Sequence, residues 1–187
     1  GTELSSKYHN KINCINCGAV TKSSYGKGYC YKCFSTLPQT DPAIIRPELD
    51  KSHLGISRDM EWAKKNSLID HIVYLSISSG YKVGVTRHTN ANTRWIDQGA
   101  IKAIKLAITP NRYLAGLIEV QLKKYLPDKT NWRQMLTGEP NIGVELREEK
   151  YKVRDYFQEE HLKYFTEDDW VTEIRYPVTK YPEKVKS

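Results

Sequence analysis

The sequence predicts an α+β fold in which a small four-cysteine metal module precedes a larger mixed domain and a helical C-terminal extension. Three observations predict it. All four cysteines of the 187-residue chain fall between Cys14 and Cys33. In the middle of the chain, short β-branched and aromatic runs are interspersed with helical patterns. The last third is charged, with apolar residues at helical spacing. The expected boundaries are a zinc module over 1–36, a Pro-containing linker and short helix over 37–70, the mixed domain over 71–136, and a helical extension with a terminal strand over 137–187.

The bulk numbers narrow the class. Apolar residues make up 39% of the chain, enough for a real core and against wholesale disorder. No apolar run reaches the roughly 18–20 residues that a membrane helix needs. Gly1 to Asn10 is polar and lacks the apolar core of a signal peptide. The chain therefore reads as soluble and cytoplasmic, with no membrane partner. Its opening Gly in place of Met fits a fragment or a processed end.

Net charge is +7, and its distribution says more than its size. Residues 71–133 hold 10 Lys/Arg against 3 Asp/Glu, while residues 134–187 hold 9 against 12. A concentrated positive field attracts polyanions, of which nucleic acid is the commonest.

The cysteines run Cys14-x2-Cys17, then 12 residues, then Cys30-x2-Cys33. Two thiolates two residues apart reach one ion from a tight turn. Two such turns close a tetrahedral zinc shell with Zn–S bonds of about 2.3 Å. Gly18 follows the first pair, where a tight turn often needs positive φ. Gly26 and Gly28 loosen the approach to the second pair, and Ala19 to Tyr29 is long enough for a hairpin. Two disulfides are the alternative, disfavoured in a cytoplasmic chain. So short a segment buries little apolar surface, so metal binding, on the order of 10 kcal/mol, supplies most of its folding energy. A closed shell leaves no position for water, so the zinc is structural.

Pro38, Pro42 and Pro47 mark Leu37 to Leu54 as an extended linker lying on the next domain. Arg58 to Lys65 reads as a short helix, with Met60 and Trp62 covering part of the core. His71 to Ser78 and Tyr81 to Thr86 read as strands joined by a Ser79-Gly80 turn. A helical turn follows at Arg94 to Asp97, then a strand at Ala103 to Thr109. Pro110 opens a helix to about Leu126. Asp128 to Leu136 is another short helix, entered through Thr130 or Asn131. Glu145 to Phe165 reads as one long charged helix, and Trp170 to Tyr176 as a last strand.

Glu119 shares a helix face with Ala115 and Leu122. A carboxylate there is partly desolvated unless a cation meets it. A divalent metal ion, an Arg, or Lys123 one turn on would each serve. Tyr74, Lys82 and Arg94 lie on the hairpin and the following turn. Tyr74 also suits an ordinary strand aromatic, and Lys82 and Arg94 suit solvated charge. Trp95 reads as a core anchor.

In that order, these residues resemble a GIY-YIG endonuclease domain. Ile72-Val73-Tyr74 takes the place of the Gly-Ile-Tyr strand, and Lys82-Val83-Gly84 that of Tyr-Ile-Gly. Arg94 matches the Arg after the second motif, Glu119 the metal-binding Glu, and Asn131 the late Asn. The resemblance spans about residues 71–136. It implies a three-stranded, mainly antiparallel sheet flanked by helices. The chain as a whole resembles a bacterial family known as a domain of unknown function, whose members place a cysteine module before such a segment. Arg46 to Leu49, His71 to Thr86, Arg94 to Ala100, Pro110 to Gly116 and Asp128 to Arg133 carry that likeness.

The GIY-YIG resemblance implies a phosphodiesterase. Glu119 would hold Mg²⁺ or Mn²⁺, Arg94 would stabilise the transition state, and Tyr74 or Lys82 would orient or deprotonate water. Arg87, Lys102, Lys105, Arg112 and Lys123 are the expected phosphate contacts. Three departures stand against the pattern: the first motif lacks Gly, the second lacks Tyr, and Gln98 sits where His is frequent. They leave the general base unassigned. The alternative is a module that binds DNA, RNA or a ribonucleoprotein without hydrolysis. A protein–protein scaffold built on the acidic C-terminal third is a further reading.

Overall fold

The computed structural model describes residues 3–126, 131–137 and 145–182. Strands β1 (Ile12–Asn13) and β2 (Val20–Thr21) pair antiparallel around the first cysteine pair. A bridge between Tyr25 and Tyr29 closes a second tight turn. Helix α1 (Tyr31–Thr36) starts directly after Cys30 and carries Cys33.

The linker is compact, where an extended segment was expected. It is a train of one-turn 3-10 helices at Pro38–Thr40, Pro42–Ile44, Pro47–Leu49 and Ser52–Leu54. Proline opens the first three, because its fixed φ suits a first helical position whose N–H has no partner anyway. Asp41 caps the second by accepting from the Ala43 amide at 2.9 Å. Arg58 ties the train to the cysteine module. It donates to the Phe34 and Leu37 carbonyls and pairs with Asp41 at 3.1 Å. Helix α2 (Met60–Asn66) is capped by Asp59. Met60 and Trp62 are half-buried, and Ala63 is the residue that α2 buries fully.

The main sheet has four antiparallel strands in the order β4-β3-β5-β6. Strand β3 (His71–Ile77) lies between β4 (Tyr81–Arg87) and β5 (Lys102–Thr109), and every one of its residues is buried. A register shift between Val73 and Tyr74 interrupts the β3–β5 ladder. The fourth strand, β6 (Thr172–Glu173), was not in the three-stranded expectation. It comes from within Trp170 to Tyr176, and only two residues of that segment pair.

Helices cover both faces. Helix α3 (Ala91–Asp97) lies against Ile72, Tyr74 and Ala103, with Trp95 buried as a core anchor. Helix α4 (Arg112–Leu122) covers the other face, with Ala115, Ile118 and Leu122 packed on Val73, Leu75 and Val83. Asn111 caps α4 by accepting from Leu114 N at 3.0 Å, so Pro110 sits just ahead of the cap. Helix α5 (Trp132–Thr137) follows Asn131, whose Oδ1 accepts from the Gln134 amide. The Asp128 to Thr130 start expected for it lies outside the described residues.

The single long helix expected over Glu145 to Phe165 is broken. Helix α6 (Leu146–Arg154) ends, and a 3-10 helix runs over Glu159–Tyr164. Phe157 and Phe165 explain the break. Eight residues apart on a continuous helix they would be about 12 Å apart along the axis. Here their rings meet edge to face at 5.6 Å. Leu146, Val153 and Phe157 join the same core as Val73 and Ile104. No helix among the described residues is long and apolar enough to cross a membrane.

Candidate functional site

Two sites stand out. In the first, the Sγ atoms of Cys14, Cys17, Cys30 and Cys33 all lie within 4.8 Å of one another. The Cys17 and Cys30 sulfurs are 3.8 Å apart. A tetrahedron with metal–sulfur bonds of about 2.3 Å has edges of about 3.8 Å, so that spacing fits one ion. Backbone geometry builds the site. The Gly18 amide donates to the Cys14 carbonyl at 2.9 Å, with Gly18 at φ +72°. The Ile15 amide donates to Gly28, which also has positive φ. Amides of Cys17 and Cys30 aim at the Cys14 sulfur and lower its pKa to about 6. Asn16 Nδ2 donates to the Cys33 sulfur at 3.4 Å. That bond favours the Cys33 thiolate, but burial and the other three sulfurs outweigh it and push the pKa up to about 12. A cation at the centre removes this conflict, because four crowded sulfurs share their charge with it. The four cysteines are thus positioned to bind one metal ion, and the all-thiolate donor set suits zinc.

The second site is a cleft of about 210 Å³ along the outer edge of β4. It gathers Lys82 from β4, Arg94 and Gln98 from the α3 side, and Arg112, Glu119 and Lys123 from the α4 side. Ile44, Ile45 and Pro47 of the linker complete its wall. Among these side chains are four cations and one carboxylate. Glu119 is only 8% exposed. Burial raises its pKa, opposed by the positive charges of Lys123 and Arg112. Its carboxylate pairs with Lys123 at 3.2 Å.

Tyr74 reaches the same region from the buried strand. Its hydroxyl donates to Gln98 Oε1 at 2.5 Å, and its ring meets Trp95 edge-on at 5.9 Å. Burial pushes its pKa up to about 12, against the nearby Arg94 cation. Gly84 makes this possible. It sits directly opposite Tyr74 in the ladder, and a Cβ there would lie 2.5 Å from the Tyr74 oxygen.

Not every cation picked out in the sequence lies here. Lys102 pairs with Glu173 at 3.2 Å and Lys105 with Asp168 at 2.9 Å, both on β5 across the sheet from the cleft. Arg87 donates to Asn66 Oδ1 at 2.6 Å. Arg112 lines the cleft, but its guanidinium also donates to the Ala43 and Ile44 carbonyls at 3.2 and 2.6 Å. Asn131 caps α5, and its amide donates to Ser79 Oγ at the β3–β4 turn.

The linker wall went unread in the sequence, yet it left a signal. Gly116 lies inside α4, where Gly ordinarily costs about 1 kcal/mol against Ala. A Cβ there would sit 2.4 Å from the Glu48 nitrogen. Only glycine lets the helix approach the Pro47 turn so closely.

Fold and sites together define an α+β protein with an N-terminal four-cysteine metal site and a cationic cleft at a sheet edge. Its sequence matches, over residues 1–187, the model of the family described as "Protein of unknown function (DUF2797)", and the chain belongs to that family. No curated protein and no solved structure matches it.

Proposed function

We propose that this is a zinc-stabilised, nucleic-acid-binding protein whose sheet domain is of GIY-YIG type, with the β4 cleft as its phosphodiester site. The observation that carries the reading is the set of four cations from three elements gathered around buried Glu119. A cleft with a surplus of positive charge attracts and concentrates anions. Arg94 and Arg112 offer planar guanidinium donors, which suit phosphate oxygens.

Hydrolysis is the fuller form of the proposal. Water adds to phosphorus, the bond to the leaving oxygen breaks, and that oxygen leaves with a proton. Glu119 is the residue to hold Mg²⁺ or Mn²⁺, which would supply charge neutralisation at the leaving oxygen. A single carboxylate is a sparse donor set, but Mg²⁺ commonly takes one or two carboxylates and completes its shell with water and phosphate. Arg94 stabilises charge on the non-bridging oxygens. Tyr74, held protonated by burial and fixed by Gln98, orients rather than deprotonates. Lys82, on the strand edge, is the group left to position the attacking water.

One observation favours binding without hydrolysis: Glu119 already has a partner in Lys123, and a metal must displace it. The test is incubation with Mn²⁺ and labelled single- and double-stranded DNA and RNA. Cleavage that Glu119→Ala abolishes is the result expected of the enzyme. No cleavage, but binding that weakens steeply with salt and with Arg94→Ala, leaves the binding form standing. Absence of both would refute the assignment.

A further inference from the structure

The metal module does more than fold: we infer that its second turn, with Tyr25, Tyr31, Lys22, Lys27 and Lys32, is a stacking platform for single-stranded nucleic acid, separate from the β4 cleft. The inference rests on the nucleic-acid reading above and adds a second contact surface to it.

The aromatic part is contiguous. Tyr31, the first residue of α1, is 66% exposed, and Tyr25 is 38% exposed. Their rings meet edge to face at 5.4 Å, and Tyr25 stacks on Phe34 at 6.0 Å. The backbone presses on the same support, since a Cβ on Gly26 would lie 2.6 Å from the Phe34 ring. Isolated exposed apolar groups are ordinary on a protein surface. Two exposed rings in contact, one of them stacked on a third, form a preorganised face that loses little entropy when a base stacks on it.

Charge selects the occupant. Residues 3–36 contain five lysines and a single acid, Glu3, and no further carboxylate occurs before Asp41. Lys22, Lys27 and Lys32 are exposed. Four thiolates with one divalent ion sum to −2, so the module keeps a positive balance, and its lysines lie outside the centre. Such a positively charged surface attracts a phosphate backbone, while the rings take the base faces. Bases in a duplex are stacked and offer no free face, so the platform fits single strands.

The test uses the full-length, zinc-loaded chain and a fluorescent mixed-sequence 20-nucleotide single strand, as DNA and as RNA, with the matching duplexes. Tyr31→Ala is expected to weaken single-strand binding by about 5- to 100-fold and to change duplex binding less than twofold. Tyr31→Phe, which keeps the ring, should bind within about twofold of the parent chain. Lys22→Glu combined with Lys32→Glu provides a second variant that leaves the rings in place; it should lower affinity and flatten the salt dependence. Metal content is measured on every variant, and the comparison uses those that retain one ion. Unchanged single-strand affinity in both Tyr31→Ala and the double Lys variant overturns the platform, as does equal loss on duplex and single strand. Arg94→Ala, run alongside, separates the two proposals. Loss in Arg94→Ala alone refutes the platform and keeps the cleft; loss in Tyr31→Ala alone does the reverse.

Discussion

The cysteine module and the sheet domain solve the same problem with different materials. In the module, only Cys14 and Cys33 are buried between residues 3 and 36, and both are metal-site sulfurs. Its order depends on four groups within 20 residues of chain and on the ion they are placed to hold. In the sheet domain, order comes from apolar side chains far apart in sequence: Val73, Ile104, Ile118 and Val153 share one core. The cleft inherits that long-range character. Its side chains come from β4, α3, α4 and the linker, and only the packed fold brings these elements together. The contrast teaches that a site built from local spacing stands or falls with its ligand, whereas a site built from packing stands or falls with the core.

Metal removal should break this comparison most sharply. Replacing Cys30 by Ser, or chelating the ion, is expected to unfold residues 10–36, with a loss on the order of 10 kcal/mol of module stability. The sheet domain should keep its cooperative transition. Limited proteolysis with thermal denaturation checks this, and simultaneous melting of both regions would contradict it.

Gly116→Ala tests the packing side. In most helices this exchange stabilises by up to about 1 kcal/mol. Here the new methyl group collides with the Pro47–Glu48 backbone, so destabilisation of about 1–3 kcal/mol is expected. Urea denaturation measures it, and nucleic-acid affinity should fall as the linker wall shifts. Metal content should stay at one ion per chain.

The sheet domain should also show a pH dependence of its own. His71 is fully buried, with Nδ1 on the Ile69 carbonyl at 2.7 Å and, among the described residues, no hydrogen-bond partner for Nε2. Burial lowers its pKa from 6.5 to about 4, despite the Ile69 bond that favours the cation. The fold therefore prefers the neutral ring. Its contribution is fully present above about pH 6.5 and is lost progressively as pH falls towards about 4, because the unfolded chain takes up the proton first. Denaturation midpoints across that window should drop less in His71→Gln than in the parent chain. Parallel curves would show that His71 does not titrate in this way.

The smallest effect is expected at Lys102. Its pair with Glu173 is exposed on both sides, so Lys102→Ala should cost less than about 1 kcal/mol. Because Lys102 lies on β5, away from the cleft, binding at the cleft should change less than twofold. A large loss of affinity would extend the interface across the sheet.

How much was legible follows from the same contrast. The two cysteine pairs identify their site by spacing alone, because ligands two residues apart can meet only at a turn. The strands were also readable, since β-branched runs flank the Ser79-Gly80 turn. The split of the last helix was not, because Phe157 and Phe165 satisfy helical spacing locally and are drawn together only by the core. The fourth strand was overextended for a related reason. Trp170 to Tyr176 has strand character, but pairing is limited to the two residues that reach β5. Lys102 and Lys105 were expected to contact phosphate, and the fold adds acidic partners that the sequence pattern does not show, Glu173 and Asp168. Glu119 shows the division most plainly. Helix periodicity puts it on a half-buried face one turn before Lys123, and the ion pair follows from that. The convergence of Lys82, Arg94 and Arg112 on it does not, because it depends on which strand is at the sheet edge and which helix covers each face. Sequence alone determined the metal site, the hairpin and the helix faces, through contacts between near neighbours. Tertiary structure alone decided the cleft, because its charges come from separate elements that only the packed core brings within reach.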